Sequence, residues 1–227
     1  MKKQMKKLTL ILFAILGVVF FNSCKDDTDN TPTTNTTTNI IKELKNYTGK
    51  TYADIQTTMQ SKGYSLSSTE SEDGMNLYTF TNSDSSYNYQ FGEYQSIICA
   101  CSYEKRKATK DNLLQLFENN SSTIISYLGN SANFYSGEIC IENATENLEF
   151  NERSSFLTSY NQNKDSITYV SETWLTTTEV IASEFNWGGE EGNYSLIGYG
   201  NFNLMPPIMN SEKSNSKSIF KILNYKK

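Results

Sequence analysis

The first 39 residues constrain the fold most, because they are poorly suited to packing inside a domain. Four lysines within the first seven residues precede an apolar run from Leu8 to Phe21. A basic start followed by an apolar stretch of this length is typical of a signal peptide, and the stretch is short for a membrane-spanning helix. We therefore predict that residues 1–23 are a signal peptide and that the fold is formed by the chain after it.

The apolar run ends at Phe21-Asn22-Ser23-Cys24, and charged residues follow directly. This junction resembles a bacterial lipoprotein signal, in which a small residue, here Ser23, precedes a lipid-modified cysteine, although Phe21 stands where leucine is usual. The resemblance implies cleavage before Cys24 and attachment of palmitate-type acyl chains to that cysteine. Several acyl chains give a stable membrane anchor, since each buried methylene contributes about 0.8 kcal/mol. The alternative is an ordinary secretory signal that happens to precede a cysteine.

Lys25-Asp26-Asp27 follows the cysteine and resembles the lysine-plus-acidic surface-export signal of Bacteroidetes lipoproteins. The resemblance implies a lipid-anchored protein that faces outward from the outer membrane. Residues 25–39 are charged or polar apart from one proline, so they bury too little surface to offset the entropy of ordering. We predict that residues 24–39 combine the lipid anchor with a flexible tether that spans roughly 20 Å.

The 188 residues from 40 to 227 are enough for one domain or for two small modules. Loss of the signal peptide removes four lysines and no acidic residue, which changes the net charge from −5 to −9. An acidic chain without a basic stripe is a poor candidate for binding nucleic acid or an anionic membrane surface. The membrane is therefore expected as a partner through the lipid anchor, and nucleic acid is not expected.

The sequence contains no histidine. This absence excludes a Ser-His-Asp triad, a Cys-His pair and any zinc site with histidine ligands. Hydrolysis by two carboxylates is still allowed, since it needs only acidic residues about 5–10 Å apart in a cleft. Binding functions are also allowed, and no cofactor is expected.

Local patterns predict an α+β fold in which short helices alternate with antiparallel β-meanders. Thr51 is a candidate cap for a helix that stops at Gly63, and Asp111 is a candidate cap for a longer helical region in two pieces. Alternating apolar residues indicate the strands, and glycine-containing turns separate them. The predicted helices cover residues 52–62, 112–128 and 152–162, and the predicted strands cover residues 77–81, 87–91, 95–103, 138–142, 167–175, 178–187, 193–202 and 218–225.

Residues 51–104 and 152–203 share one order of elements, a short helix followed by an antiparallel meander. This organisation is similar to that of proteins built from two helix-plus-sheet modules, such as secreted β-lactamase inhibitor proteins. The similarity implies one module over residues 40–130 and a second over residues 131–227. A single domain over residues 40–227 explains the same order equally well, because order alone does not fix a fold.

Aromatic residues provide the candidate ligand contacts. Tyr87, Tyr89 and Phe91 share one face of a predicted strand, where they form either a platform for sugar rings or, more commonly, the inner face of a sheet. Trp174 and Trp187 are further candidates, because an indole ring stacks on sugars and also anchors protein partners.

Three polar motifs have weaker interpretations. Asp165-Ser166-Ile167 resembles the tripeptide that Bacteroidetes use for O-glycosylation of exported proteins, which implies a glycan on Ser166; the alternative is an unmodified serine at the start of a strand. Glu190-Glu191 either contacts a sugar beside Trp187 or, more commonly, forms a solvated hairpin tip. Asn161, Asn163, Asp165 and Glu172 have the spacing of the ligands in a calcium-binding loop. Serine stands where such a loop needs glycine, so no metal is expected.

The sequence has three cysteines besides Cys24, namely Cys99, Cys101 and Cys140. The alternation of side chains along a strand predicts that Cys99 and Cys101 lie on one face. Their Cα atoms would then lie roughly 6.5 Å apart with parallel side chains, which disfavours a disulfide. We expect small buried thiols, with a bridge from Cys140 as the alternative. Zinc is not expected, because structural sites need four ligands.

These observations favour a non-catalytic surface protein that binds a glycan or a protein. One alternative is a small carboxylate-dependent hydrolase acting on polysaccharide or peptidoglycan. The other is an inhibitor-like module that binds a protein partner, which follows from the tandem organisation.

Replacement of the anchor cysteine tests the lipoprotein assignment. Cys24→Ala should leave an unlipidated precursor or a soluble product, because no acyl chain is attached to the variant. Membrane fractionation and intact mass measure the outcome. Asp26→Ala with Asp27→Ala is the matched control, since that variant should keep its acyl chains and lose its exposure to protease added to intact cells. A Cys24 variant that fractionates with membranes like the wild type would contradict the assignment.

Overall fold

The computed structural model describes residues 37–72, 75–144, 146–188 and 192–206. Within these ranges the chain forms four α-helices and one nine-stranded antiparallel sheet, which confirms the predicted α+β class. The helices are α1 (Thr37–Tyr47), α2 (Tyr52–Ser61), α3 (Lys110–Leu128) and α4 (Arg153–Asn163). The strands are β1 (Tyr64–Glu72), β2 (Met75–Asn82), β3 (Tyr87–Tyr94), β4 (Ile97–Arg106), β5 (Phe134–Ile141), β6 (Leu148–Phe150), β7 (Ile167–Leu175), β8 (Glu179–Asn186) and β9 (Tyr194–Asn201).

Several predictions concern residues outside the described ranges. These are the signal peptide, the anchor Cys24, the export signal Lys25-Asp26-Asp27, the acidic pair Glu190-Glu191 and the predicted strand at 218–225. Helix α1 begins at Thr37, inside the segment predicted as tether. None of the described helices is both long and apolar enough to span a membrane.

The sheet order is β1-β2-β3-β4-β9-β8-β7-β5-β6. Strands β1–β4 form one meander and β7–β9 form another, and the two meet where β4 pairs with β9. This pairing runs from Ala100 opposite Gly200 to Arg106 opposite Tyr194. The sheet is therefore continuous between the two modules that the sequence suggested, and their division near residue 130 stays a prediction.

The described helices lie on one face of the sheet. Helices α1 and α3 cross the junction of the meanders, α1 against β4 and β9 and α3 against β8 and β9. Ile41 and Leu44 of α1 pack against Phe80, Phe91 and Ile197 from three strands. Because side chains alternate across a strand, the intervening residues point to the opposite face, which we call the helix-free face.

Helix α1 is tied to the first meander by the carboxylate of Glu43. Its Oε1 atom accepts hydrogen bonds from Tyr47 at 2.7 Å, Tyr89 at 2.7 Å and Lys62 at 2.6 Å. Burial alone would raise the pKa of Glu43, but these three donors hold that pKa below its usual value. Burial and the Glu43 carboxylate raise the pKa of both Tyr47 and Tyr89, so the tyrosines stay protonated donors.

The same helix is tied to the second meander through Lys45. Lys45 donates to Glu179 of β8 at 2.5 Å and to the Tyr127 hydroxyl of α3 at 3.1 Å. Tyr199 of β9 also donates to Glu179, at 2.9 Å. Polar contacts of α1 therefore reach both halves of the sheet.

Helix boundaries agree with the sequence in part. Thr51 caps α2 in a capping box with Asp54, as its sequence position predicts. Helix α3 is capped by Thr109, whose hydroxyl accepts from Asn112, so the cap predicted at Asp111 is wrong. The predicted break within α3 is also wrong, because Asn120 in its polar middle is buried and donates to the Leu196 carbonyl of β9.

Sequence patterns missed α1, β1 and β6. Strand β1 is rich in serine, threonine and glutamate and lacks the apolar alternation that indicates a strand. It forms because it pairs with β2 along its length, from Tyr64 opposite Asn82 to Glu72 opposite Met75. Hydrogen bonds to a neighbour therefore replace the missing side-chain pattern.

A β-bulge separates the two cysteines predicted to share a face. Gly92 pairs with Ala100 and the next residue of β3, Glu93, pairs with Ile98, which leaves Cys99 as the extra residue of β4. Cys101 lies under α1, with its thiol donating to the Leu44 carbonyl, whereas Cys99 contributes to a different cluster. All three described cysteines are free thiols, as predicted; Cys99 and Cys101 are buried and Cys140 is half-buried.

Two strand glycines test how tightly the helices pack on the sheet. A Cβ atom at Gly137 would lie 2.7 Å from Cε2 of Phe156 in α4, so Gly137→Ala should destabilise the fold by about 1–3 kcal/mol through overpacking. Gly198→Ala is the matched control, because its Cβ would meet no atom closer than 3.8 Å. Urea denaturation compares the two variants, and equal midpoints would contradict the packing described between α4 and β5.

Candidate functional site

A cleft of about 490 Å³ lies where β7 begins and β8 ends, near the start of α3. This volume falls in the range of small-molecule sites, which is roughly 300–1,000 Å³. We call it the Trp187 cleft. Its lining residues are Lys110, Glu142, Thr168, Tyr169, Asn186, Trp187 and Gly188.

Backbone and amide contacts hold the β8 side of the Trp187 cleft. The Trp187 amide donates to the Thr168 carbonyl at 2.7 Å, which extends the β7–β8 pairing by one residue. The Asn186 side chain donates to the Gly192 carbonyl at 2.6 Å. Trp187 is half-buried against the core cluster around Phe156, so its ring position is set before any ligand arrives.

The opposite wall is joined to the exposed turn that carries Ser166. Lys110 donates to the Asp165 carbonyl at 2.8 Å, and the Glu142 amide donates to the Ser166 carbonyl at 2.8 Å. Ser166 ends a short 3-10 turn and is exposed. Its glycosylation stays a prediction, and its side chain is accessible for modification.

Tyr169 connects the cleft with the helix-free face. It pairs with Asn186 across β7 and β8. Burial and the nearby carboxylates of Glu184 and Glu138 raise the pKa of Tyr169 well above its usual value. Its phenol is therefore a neutral hydrogen-bond donor at physiological pH.

A row of polar residues runs across the helix-free face beside the cleft. The row crosses six neighbouring strands, β3, β4, β9, β8, β7 and β5. Each of its residues is paired in register with the next residue on the adjacent strand. We call it the glutamate row. Its members are Asn88, Glu104, Leu196, Glu184, Ser171 and Glu138.

Hydrogen bonds and ion pairs link the centre of the glutamate row. Glu104 accepts from Asn88 at 3.2 Å and forms an ion pair with Arg106. The Arg106 guanidinium lies 5.5 Å from the Tyr194 ring centroid, and the Tyr194 hydroxyl donates to Glu184 at 2.5 Å. Glu104 and Glu184 are both buried, which sequence analysis did not predict, because only strand register brings them to one face.

The predicted contact residues have different fates. Tyr89, Phe91 and Trp174 are buried beneath the helices in the hydrophobic core. They are therefore not available as ligand contacts. Tyr87 is half-buried and stacks on Tyr103, with a ring separation of 5.6 Å. Of the five, Trp187 lines the Trp187 cleft.

The calcium-loop residues do not converge. Asp165 is exposed in the turn before β7, whereas Glu172 is fully buried on the helix side of that strand. Within the described ranges, no group of three acidic or cysteine residues is placed to hold a metal ion.

Comparison with known proteins adds little. No protein-family model matches the chain, and no curated protein matches it. One similar solved structure is that of the PH1012 protein from Pyrococcus horikoshii OT3, at 9% identity over 79% of this chain and 88% of that chain. Its TM-score of 0.11 is too low to support an argument about fold or function.

Glu172 is an unusual carboxyl group beneath α3 and α4. It is fully buried, and Ser121, Trp174 and Arg153 lie near it. Neither carboxyl oxygen has a hydrogen bond of normal geometry, and the Trp174 indole nitrogen also has none. Burial raises the pKa of Glu172 to about 7, against the weaker lowering by Ser121, Trp174 and Arg153.

The raised pKa of Glu172 predicts a pH-dependent stability. An unfolded glutamate titrates near 4.3, so the folded state binds the proton more tightly and its stability falls as pH rises from about 4 to 7. The pKa difference corresponds to a loss of about 4 kcal/mol. Urea unfolding of wild type and Glu172→Gln at pH 5 and pH 8 should show that the variant loses less stability over this interval. The same loss in both proteins would contradict the prediction.

Proposed function

We propose that this chain is a lipid-anchored surface protein that binds an oligosaccharide in the Trp187 cleft. One observation carries the proposal, namely that the indole of Trp187 lines a ligand-sized cleft together with five polar side chains. Indole rings stack on the apolar faces of sugar rings, and polar neighbours bind their hydroxyl groups.

The polar groups of the cleft cover the chemistry that a sugar needs. Lys110 and Tyr169 supply donors, Glu142 supplies an acceptor, and Thr168 and Asn186 supply both. A backbone hydrogen bond joins Trp187 to Thr168, so the main-chain segments that carry these two side chains are held together in the strand pairing.

The predicted export signal and tether fit this function. A lipid on Cys24 would hold the protein at the outer membrane, and residues 25–39 would carry the folded region away from the bilayer. A binding site presented in this way meets soluble or neighbouring glycans outside the cell.

A carboxylate-dependent hydrolase is the second candidate, and one observation favours it. Glu104 and Glu184 lie on the same face with Leu196 between them in register. Neighbouring strands are about 4.8 Å apart, so the two Cα atoms are separated by about 10 Å. Inverting glycosidases hold their two carboxyl groups about 6.5–9.5 Å apart, which side chains on such backbone positions can reach. We favour binding, because both carboxylates are buried and engaged by Asn88, Arg106 and Tyr194.

A glycan-binding screen of the mature lipidated chain in detergent tests the proposal. Trp187→Ala should weaken binding of any glycan found by roughly 10–100-fold, because stacking on the ring is lost. Trp187→Phe is the matched control and should retain most of the affinity, as measured by titration calorimetry.

Two outcomes would overturn this proposal. Equal binding by wild type and Trp187→Ala would remove the cleft as the site. Turnover of a glycan that is abolished in Glu104→Gln or Glu184→Gln would establish the hydrolase instead.

A further inference from the structure

Four tyrosine rings form a row on the helix side of the first meander, at the end where β3 begins and β4 ends. The Tyr89 ring lies 5.1 Å from the ring of Tyr64 in β1 and 4.9 Å from the ring of Tyr103 in β4. The Tyr103 ring stacks in turn on that of Tyr87, at 5.6 Å. We call these four residues the tyrosine row. Strand register produces it, because Tyr89 is paired with Tyr103 across β3 and β4.

The tyrosine row has a buried floor and an accessible edge. Tyr89 is buried and belongs to the core cluster beneath α1. Tyr64, Tyr87 and Tyr103 are half-buried, so each packs against another ring of the row and still reaches solvent. Rings that are already held by packing lose less conformational freedom when a ligand binds, which favours them as contacts.

Three hydroxyl groups of the row are open to a ligand. Tyr89 donates to Glu43 at 2.7 Å, but no described residue hydrogen-bonds with the hydroxyl of Tyr64, Tyr87 or Tyr103. Burial raises the pKa of Tyr64 and of Tyr103, and neighbouring tyrosines of the row raise it further. Both hydroxyls therefore stay protonated at physiological pH and can donate to a hydroxyl-rich ligand.

Lys105 adds a positive charge at one end of the row. Its ammonium nitrogen lies 4.0 Å from the centre of the Tyr87 ring, in cation–π contact. Lys105 takes part in none of the ion pairs between described residues. At the other end, Lys62 lies 5.7 Å from the centre of the Tyr89 ring and is neutralised by Glu43 at 2.6 Å. The charge of Lys105 is therefore available to an anionic ligand.

Asp84, in the turn before β3, does not cancel this charge. Its Oδ1 atom accepts hydrogen bonds from the Ser86 hydroxyl at 2.6 Å and the Ser86 amide at 2.9 Å. These bonds and the nearby charge of Lys107 hold the pKa of Asp84 below its usual value. Lys107 thus offsets Asp84, and the charge of Lys105 over the row is left uncancelled.

The size of the accessible surface favours a sugar chain over a protein. An aromatic side chain buries roughly 150–250 Å² in total, so three half-buried rings offer a few hundred Å² at most. A typical protein interface needs about 800 Å² from each partner. A polysaccharide needs less, because ring faces and hydroxyl groups alone contact it.

We propose that the tyrosine row is a second ligand site, which binds a polysaccharide that carries carboxylate groups. The rings of Tyr64, Tyr87 and Tyr103 pack against successive sugars, and Lys105 pairs with a sugar carboxylate. The row is several rings long, so it takes a chain of sugars rather than a single one. The site is separate from the Trp187 cleft and does not depend on glycan binding there.

Polysaccharide binding by the mature lipidated chain in detergent tests the proposal. The probes are polygalacturonate, alginate and hyaluronan, each compared with its carboxyl-reduced form, and biolayer interferometry measures their affinities. We expect at least one acidic probe to bind. Its carboxyl-reduced form should bind at least roughly tenfold more weakly, because the ion pair with Lys105 is lost.

Substitutions locate the bound probe. Lys105→Gln should weaken its binding by roughly fivefold or more and reduce the dependence on salt, because the charge is removed. Lys42→Gln is the matched control, since it removes the same charge from an exposed position on α1 and should bind like the wild type. Tyr87→Ala should weaken binding roughly tenfold, whereas Tyr87→Phe keeps the ring and should retain most of the affinity. Urea unfolding checks that each variant is folded, and Lys105→Gln decides the outcome if Tyr87→Ala is not.

Four results would overturn the proposal. Failure of all three acidic probes to bind would remove the ligand class, and equal binding of the carboxyl-reduced form would remove its charge. Equal affinity of wild type and Lys105→Gln would remove the tyrosine row as the site. Binding that is lost in Trp187→Ala and kept in Lys105→Gln would assign the probe to the Trp187 cleft instead.

Discussion

Strands β4 and β9 pair in antiparallel fashion from Ala100 and Gly200 to Arg106 and Tyr194, and most of the structure depends on this pairing. It joins two meanders that otherwise present unpaired edges to solvent. The pairing also brings Glu104 and Glu184 to one row, so the unusual chemistry of the helix-free face is a consequence of it.

Helix α1 reinforces this junction from the other side. Its apolar residues pack on strands of both meanders, and two of its charged residues reach in opposite directions. Glu43 binds tyrosines of α1 and β3, whereas Lys45 binds Glu179 of β8. A carboxylate that accepts three hydrogen bonds on one oxygen is costly to bury without all of its donors, so α1 has one preferred position.

The two faces of the sheet have different roles. The helix side is an aromatic core, in which Tyr47, Phe80 and Phe91 meet edge to face. The helix-free face is polar and carries glutamates, and the Trp187 cleft opens at its end through Tyr169 and Asn186. A binding function fits this division, because the core fixes the scaffold while the other face and its end supply polar groups.

Local sequence predicted much of the fold but little of the site. Alternation identified β7 to the residue, and the Thr51 capping box set the start of α2, since both signals depend on near neighbours in the chain. Strand β1 was missed because pairing with β2, rather than its own composition, makes it a strand. The bulge at Cys99 was missed because one extra residue in β4 is visible only against β3.

By itself, the sequence determined the α+β class, the position of most helices and strands and the absence of histidine chemistry. Only the tertiary structure decided which aromatic residues are buried and which one lines a cleft. The sequence of a strand shows which residues share a face, but it does not show which face the helices cover. It also decided that Glu104, Glu184 and Glu138 share a row. Residues distant in sequence become neighbours through strand register, and register is fixed by pairing across the whole sheet rather than by any local pattern.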